Sequence, residues 1–379
     1  MEQKVFIRKT SVFLPNFPIN NDDMENYLGL IGNKKSRVKN IVLRQNGIKT
    51  RYYALDCAQK PTHTNAELAK NAINGLFDEN FTEDNVNLLS CATSNADQFI
   101  PSHASMVHGL LKRAPMELFS SSGVCLTVLQ ALKIAFMAIK SNENTNAICC
   151  ASELPSIGLL SKNYDSEYEY TTTVGVDPYM AFEKDFLRFM LSDGAGAVLL
   201  DNVPNESSLS LQIDWILMDS YANELPTCMF AGAELRSDGE LKGWKEFTDD
   251  EIKHRAVLTI KQDIRLLKEH IISYWIKHIQ HCLKKYEIDA NKITFVIPHV
   301  SSMFFYGKLN EGLKEAGIPL TDEKWFTNLK SVGNIGSAAI LVALDELFHS
   351  GKLQKGNTIL LLVPESGRFS YGTVHLTVV

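Results

Sequence analysis

The sequence predicts an α/β protein built from two halves that follow one plan. Three observations carry this. Short apolar runs of strand character alternate with stretches of helical period, an order that leads to mostly parallel sheets. Each half then repeats one succession. A strand ends in polar residues (Thr93-Ser94 in the first half, His299 in the second), and a helix led by small residues follows, at Cys125 and at Asn334. A strand, a glycine-containing turn and a last strand complete each half. Identity between the halves is slight, so the repeat is one of pattern. Finally, Asn202 to Ser208 is a cluster of turn formers that divides the chain into 1–205 and 206–379.

Taken in order, the stretch from Met1 to Ile7 reads as the first strand, with a turn-rich loop from Pro15 to Asn21 and a short helix over 22–30 after it. Residues 34–51 are basic and carry no acid, which fits either a solvated face or the mouth of an anion site. A helix is predicted over 65–76, a buried strand over 86–92 and a helix over 102–112. The apolar helix after Cys125 holds Leu126, Val128, Leu129, Leu132, Ile134 and Ala135, and is apolar on most sides. Ala147 to Ala151 is a short strand whose vicinal Cys149 and Cys150 read as core. The segment Glu153–Pro178 reads as a long irregular loop, the kind that covers or lines a functional site or faces a dimer partner. Asp193-Gly194-Ala195-Gly196 turns into a strand and lacks the Gly-Lys-Ser/Thr ending of a phosphate loop.

In the second half, a strand spans 209–218 and a long, interrupted helical region spans 248–285. His278 and His281 lie three apart on that region and read as surface residues, since no third metal ligand is in register. Ile293 to Ile297 is a buried strand ending at Pro298-His299. A small-residue helix covers 338–348, and strands at 358–363 and 373–378 flank Ser366-Gly367-Arg368-Phe369-Ser370-Tyr371-Gly372.

Composition bounds the class. The chain has 379 residues, of which 45% are hydrophobic, enough for a sizeable core. A net charge of −6 excludes the general electrostatic footprint of a nucleic-acid binder. Seven cysteines form an odd set with no CxxC pair, as in free thiols of a reducing cytoplasm. The start of the chain reads as a strand and not as a signal peptide. No apolar run approaches the ~20 residues that span a bilayer, so a cytoplasmic protein without membrane contact is expected.

Cys125 sits where backbone N–H groups lack intrahelical partners and the helix dipole is positive. That placement favours a thiolate, as a nucleophile requires. Alone, it fits equally a small residue packed at a buried helix start. His299 and Asn334 alter the balance, because strand ends and helix starts converge at the carboxyl edge of such sheets.

With those residues in place, the chain resembles the β-ketoacyl-acyl-carrier-protein synthase III group of the thiolase superfamily. The motifs are Ser122-Gly123-Val124-Cys125, Ser192-Asp193-Gly194-Ala195-Gly196, Pro298-His299, Gly333-Asn334-Ile335-Gly336-Ser337-Ala338-Ala339 and Phe369-Ser370-Tyr371-Gly372. The resemblance implies a thiolase-like five-layer αβαβα sandwich of two duplicated halves, a homodimer in which strand 86–92 pairs across the two-fold axis. It implies that Cys125 accepts an acyl group from an acyl-carrier-protein or CoA thioester, with an oxyanion hole of the Cys125 and Gly367 N–H groups. His299 and Asn334 then stabilise the enolate of a malonyl or 3-ketoacyl thioester, which attacks in a Claisen condensation. No metal or redox cofactor is implied.

The chain departs from that pattern in informative places. His299-Val300-Ser301-Ser302 replaces His-Gln-Ala-Asn, and Phe304-Phe305 stands where a basic carrier-docking residue is usual. Asn40 replaces the tryptophan that stacks on adenine in acetyl-CoA users, and Ser366-Gly367-Arg368 replaces a run of three glycines. The stretch from Arg44 to Tyr53 is similar to ketosynthase-cyclases that build dialkylresorcinol or stilbene rings. The expectation is a condensing enzyme of specialised lipid or polyketide synthesis. The alternatives are the housekeeping starter synthase of fatty acid synthesis, which wants an aromatic at position 40, and a non-catalytic partner subunit, which has no need of Cys125.

Overall fold

A computed structural model describes residues 3–111, 114–174, 185–236 and 238–379. Its centre is a nine-stranded sheet made of β1 (Phe6–Phe13), β2 (Leu88–Thr93), β3 (Glu117–Ser122), β4 (Asn146–Glu153), β5 (Gly194–Asp201), β6 (Leu211–Ser220), β7 (Phe295–Pro298), β8 (Thr358–Glu365) and β9 (Ser370–Val378). Their spatial order is β7-β8-β9-β6-β1-β5-β4-β2-β3. The five strands from β1 to β5 form one block and the four from β6 to β9 the other. The blocks meet where Phe6 and Ile7 pair with Gln212 and Leu211.

The two blocks repeat one pairing scheme. β4 pairs parallel with β2 and antiparallel with β5, which pairs antiparallel with β1. Likewise β8 pairs parallel with β7 and antiparallel with β9, which pairs antiparallel with β6. β3 lies parallel beside β2, and an isolated parallel bridge between Val296 and Trp325 takes the same place beside β7. The sheet is therefore mixed, where the sequence implied mostly parallel pairing. The cause is local in the second half: Glu365 pairs with Ser370 across a short turn, and so short a link permits only antiparallel strands.

Helices complete the layers. α1 (Asn65–Asn74) and α2 (His103–Leu111) cover one face of the first block. α3 (Thr127–Lys140) and α6 (Ala339–His349) lie between the blocks. α4 (Ile264–Lys285) and α5 (Met303–Glu315) cover the far face of the second. Alternation along β4 shows how a strand buried on both faces serves two layers. Ala147, Cys149 and Ala151 join the central core with Leu129, Leu132, Leu341 and Leu344, whereas Ile148 and Cys150 join the outer core with Leu68, Ala72 and Val107. The third core sets Trp275, Phe305 and Leu309 against Leu360, Leu362 and Tyr371. Gly196 lets the central layer close, because a Cβ there would stand 2.7 Å from Leu341 Cβ.

Several expectations are corrected. Residues 153–174 are mostly ordered: β4 runs through Glu153, and helical segments span Pro155–Gly158, Ser161–Asn163 and Asp165–Val174. Residues 175–178 of that call lie outside the described residues. The strand expected to pair across a two-fold is interior, between β3 and β4; the free edge of that block is β3, whose side chains alternate between exposed and half-buried. His278 is fully buried, its ring nitrogens on Asp219 Oδ2 (2.7 Å) and Thr373 Oγ1 (3.0 Å). His281 shares the same Asp219 oxygen at 2.8 Å. In the basic stretch, Lys34, Lys35, Arg37, Arg44 and Lys49 are exposed, but Arg51 is buried and donates to Asn21 Oδ1 (2.9 Å) and the Phe189 carbonyl (3.3 Å). No helix among the described residues is long and apolar enough to cross a membrane.

Candidate active site

Cys125 lies two residues before α3, on the turn that leaves β3. It is 9% exposed and opens onto a cavity of about 340 Å³. His299 follows β7 directly, and its backbone N–H donates to the Leu362 carbonyl of β8 at 2.8 Å. Asn334 is held by its main chain: its N–H donates to the Met190 carbonyl (3.2 Å) and its carbonyl accepts from Ser192 N–H (2.9 Å). Its Oδ1 accepts from Gly336 N–H at 3.1 Å, which fixes the amide plane. The flanking glycines make this turn possible, with φ of +75° at Gly333 and +50° at Gly336. A Cβ at Gly333 would also sit 2.9 Å from Ser192 Cβ.

All three expected residues line the one cavity. Among the described residues, the His299 ring and Asn334 Nδ2 make no hydrogen bond, which leaves both free to meet a ligand oxygen. Burial lowers His299 to a pKa of about 4, so its imidazole is neutral near pH 7. Cys125 departs from the expected low-pKa thiol. Burial pushes it well up, and the charges of Glu153 and Glu365 push it further, with its own backbone N–H opposing them weakly. Desolvation outweighs the helix terminus here. The resting residue is a thiol, whose proton must pass to a base during attack.

Gly367 is placed differently from the expectation. Its N–H donates to Glu365 Oε1 at 3.1 Å, and its neighbours Pro364 and Ser366, not Gly367, line the cavity. Its carbonyl accepts from Cys228 and Met229 N–H groups, which pins the turn. Arg368 points away from the cavity, exposed, with Nε on the Leu225 carbonyl at 3.3 Å.

Glu153, read from sequence only as the start of a loop, is the central polar residue of the site. Its buried carboxylate accepts from Ser94 N–H (3.0 Å), Ser337 N–H (3.1 Å) and both serine hydroxyls. It thus ties the end of β2 to the turn that carries Asn334. Desolvation raises its pKa, with the four donors working the other way. Asp193, behind it, accepts from Ala54 and Ser156 N–H groups and is pushed up to about 7 by burial. The remaining wall of the cavity is mostly apolar. It comes from the 153–158 segment, from Met190 and Leu191, from 229–231 and 258–262, and from Leu267, Ile271, Ile272 and Trp275 of α4. The long segments 153–178 and 248–285 therefore both contribute to the cavity wall, the first through residues 153–158.

The fold is that of thiolase-like condensing enzymes of known structure, and Cys125, His299 and Asn334 line its cavity. Residues 283–377, which include His299 and Asn334, match the model of the 3-oxoacyl-[acyl-carrier-protein] synthase III C-terminal domain. The chain is 25% identical over 318 residues to the β-ketoacyl-[acyl-carrier-protein] synthase III of Clostridium perfringens, covering 84% of each chain. It is 24% identical to that of Aquifex aeolicus, covering 97% of each. Among solved structures, AbyA1, a tetronic acid condensing enzyme, superposes with a TM-score of 0.75 at 18% identity, over 98% of this chain and 99% of the other. Over most of its length the chain is thus similar to β-ketoacyl-[acyl-carrier-protein] synthase III enzymes, and its C-terminal part matches their C-terminal domain.

Proposed function

We infer that Cys125 accepts the acyl group and that His299 and Asn334 serve the condensation that follows. The convergence of the three on one cavity, with the His299 ring and Asn334 Nδ2 free of protein partners, carries this reading. Cys125 Sγ attacks the thioester carbonyl while its proton passes to neutral His299; the carrier or CoA thiol leaves with that proton, and acyl-Cys125 remains. A malonyl or 3-ketoacyl thioester then enters. The malonyl unit loses CO₂, or the 3-ketoacyl unit its acidic C2 proton, while His299 and Asn334 donate to the thioester oxygen of the enolate; the enolate carbon then attacks the acyl carbonyl and expels Cys125 as a thiolate, which takes up a proton to restore the thiol. Cys125 N–H supplies one oxyanion donor. Gly367 N–H is the second once Glu365 turns aside. The chemistry runs on thioester substrates without a metal or redox cofactor.

The departures at Asn40 and Phe304, and the mostly apolar wall of the cavity, support a specialised lipid or polyketide ketosynthase over the starter synthase of fatty acid synthesis. A 3-ketoacyl nucleophile meeting an unsaturated acyl-Cys125 gives a product that can close to a cyclohexanedione, the ring precursor of dialkylresorcinols. We assign the halves to 1–205 and 206–379, and the assembly to a homodimer joined along the exposed β3 edge. The test is intact-protein mass after exposure to a panel of acyl-carrier and acyl-CoA thioesters. An adduct on the wild type that is absent from Cys125→Ala supports the assignment; acylation of the variant at another cysteine refutes it.

A further inference from the structure

The basic stretch 34–51 takes no part in the chemistry above, yet it lies against both loops that carry His299 and Asn334. Its helix Lys39–Asn46 ends at Gly47, where a Cβ would stand 2.5 Å from Met303 Cγ, at the start of α5 and four residues after His299. Two residues on, Lys49 N–H donates to the Lys330 carbonyl at 2.8 Å, four residues before Asn334. Arg44, Lys49 and Lys330 are all exposed. Lys268, exposed on α4 beside the cavity residue Leu267, brings a fourth cation, its Nζ 5.4 Å from the ring centroid of Phe304. Among the described residues none of these four forms an ion pair, whereas Lys39 of the same helix is taken by Glu25. The chain as a whole carries a charge of −6, so uncompensated cations gathered here do not follow from composition. The field they sum to favours an anionic partner at this rim.

We propose that Arg44, Lys49, Lys268 and Lys330 form the docking surface for an acyl carrier protein with an acidic face, which delivers its thioester to Cys125 past the loop that follows His299. This rests on the acylation of Cys125 argued above. Val300, Ser301 and Phe305 of that loop line the cavity, so the surface borders the space the acyl group must enter. An acidic protein fits it better than the phosphates of free CoA. The four cations come from three separate stretches of chain set around two loops, where a phosphate is held by one or two. Asn40, exposed on the same helix, offers no ring to adenine, and Phe304, 36% exposed, adds apolar surface for a protein partner to cover. Such rim charges raise the rate and selectivity of encounter and weaken in salt; bond making stays with the cavity residues.

The experiment places one acyl group, octanoyl, on three donors: an acidic acyl carrier protein, CoA and N-acetylcysteamine. Adduct formation on Cys125 is read by intact mass at donor concentrations below saturation. Raising NaCl from about 50 to about 500 mM should slow the carrier donor about tenfold relative to N-acetylcysteamine. Arg44→Glu with Lys49→Glu, and Lys268→Glu with Lys330→Glu, should each lower the carrier-to-N-acetylcysteamine ratio about tenfold or more, with a smaller fall for CoA. Lys355→Glu, a reversal of an exposed lysine in the turn before β8, should keep the ratio. Folding is checked by circular dichroism, and glutamine replaces glutamate in any pair that does not fold, with a fall of about threefold expected. A carrier ratio that falls no further in either pair than in Lys355→Glu overturns the proposal. So does an equal fall for CoA, which gives the cations to its phosphates, and so does a carrier donor that yields no adduct where N-acetylcysteamine yields one. No adduct from any of the three donors overturns the acylation of Cys125 itself, a different and recognisable outcome.

Discussion

At the scale of single residues, the site joins a protonated thiol to a neutral imidazole. Cys125 is raised by burial and by Glu153 and Glu365, so its alkylation by iodoacetamide should climb with pH through about 9.5 without a plateau, beyond the ordinary thiol range. A plateau near pH 7 means a stabilised thiolate and contradicts the electrostatics described. His299 acts as a neutral group, and its lowered pKa of about 4 means that protonation, and loss of function with it, lies well below the usual histidine value of about 6.5. Condensation by a pre-acylated enzyme should therefore hold its rate from pH 7 down to about 5.5; a decline centred between about 6 and 7 shows an ordinary histidine. The three expected side chains were legible because each sits on a short motif at a strand end or helix start. Glu153 is not, because it lies in a stretch with no motif and gains its meaning only from Ser94 and Ser337, far away in sequence. The thiol's pKa was misjudged because a sequence displays a helix terminus but not the depth of burial.

Among elements, the central layer is the most tightly specified. Gly196→Ala places a methyl 2.7 Å from Leu341 Cβ, a backbone-anchored atom that cannot swing away. It should cost about 1–3 kcal/mol in urea unfolding. A variant as stable as the wild type shows that α6 can shift outward. Strongly periodic elements such as the α1 and α3 helices were legible in the sequence. β3 was missed because a half-exposed edge strand, Glu-Leu-Phe-Ser-Ser-Ser, carries a weak apolar signal. The segment 153–178 reads as loop because its Ser, Thr, Tyr and Asp content resembles turns, while the helices within 155–174 owe their stability to tertiary contacts: Asn163 Nδ2 on the Ile157 carbonyl (2.8 Å), Gly32 N–H on Asp165 Oδ1 (3.0 Å), and Arg188 Nε on the Leu159 carbonyl (3.0 Å).

On the scale of the whole molecule, two blocks with one pairing scheme set Cys125 on the first and His299 and Asn334 on the second. The pattern repeat was visible in the sequence; the antiparallel returns were not, since strand direction depends on connections that composition does not encode. The exposed β3 edge and the loop that presents Phe99 and Ile100, 80% and 85% exposed, lead us to expect a homodimer. Light scattering at micromolar concentration should give twice the 42.4 kDa chain mass; a monomer removes that assignment. The central claim is a division of labour between the blocks, and one measurement addresses it: the two half-reactions followed separately in His299→Ala and Asn334→Ala. Cys125 acylation should persist in both, slowed in His299→Ala by loss of the base, while condensation on pre-acylated enzyme falls about 10²-fold or more, of order 3 kcal/mol. Equal loss of acylation and condensation in Asn334→Ala, or condensation that survives both substitutions, contradicts the account.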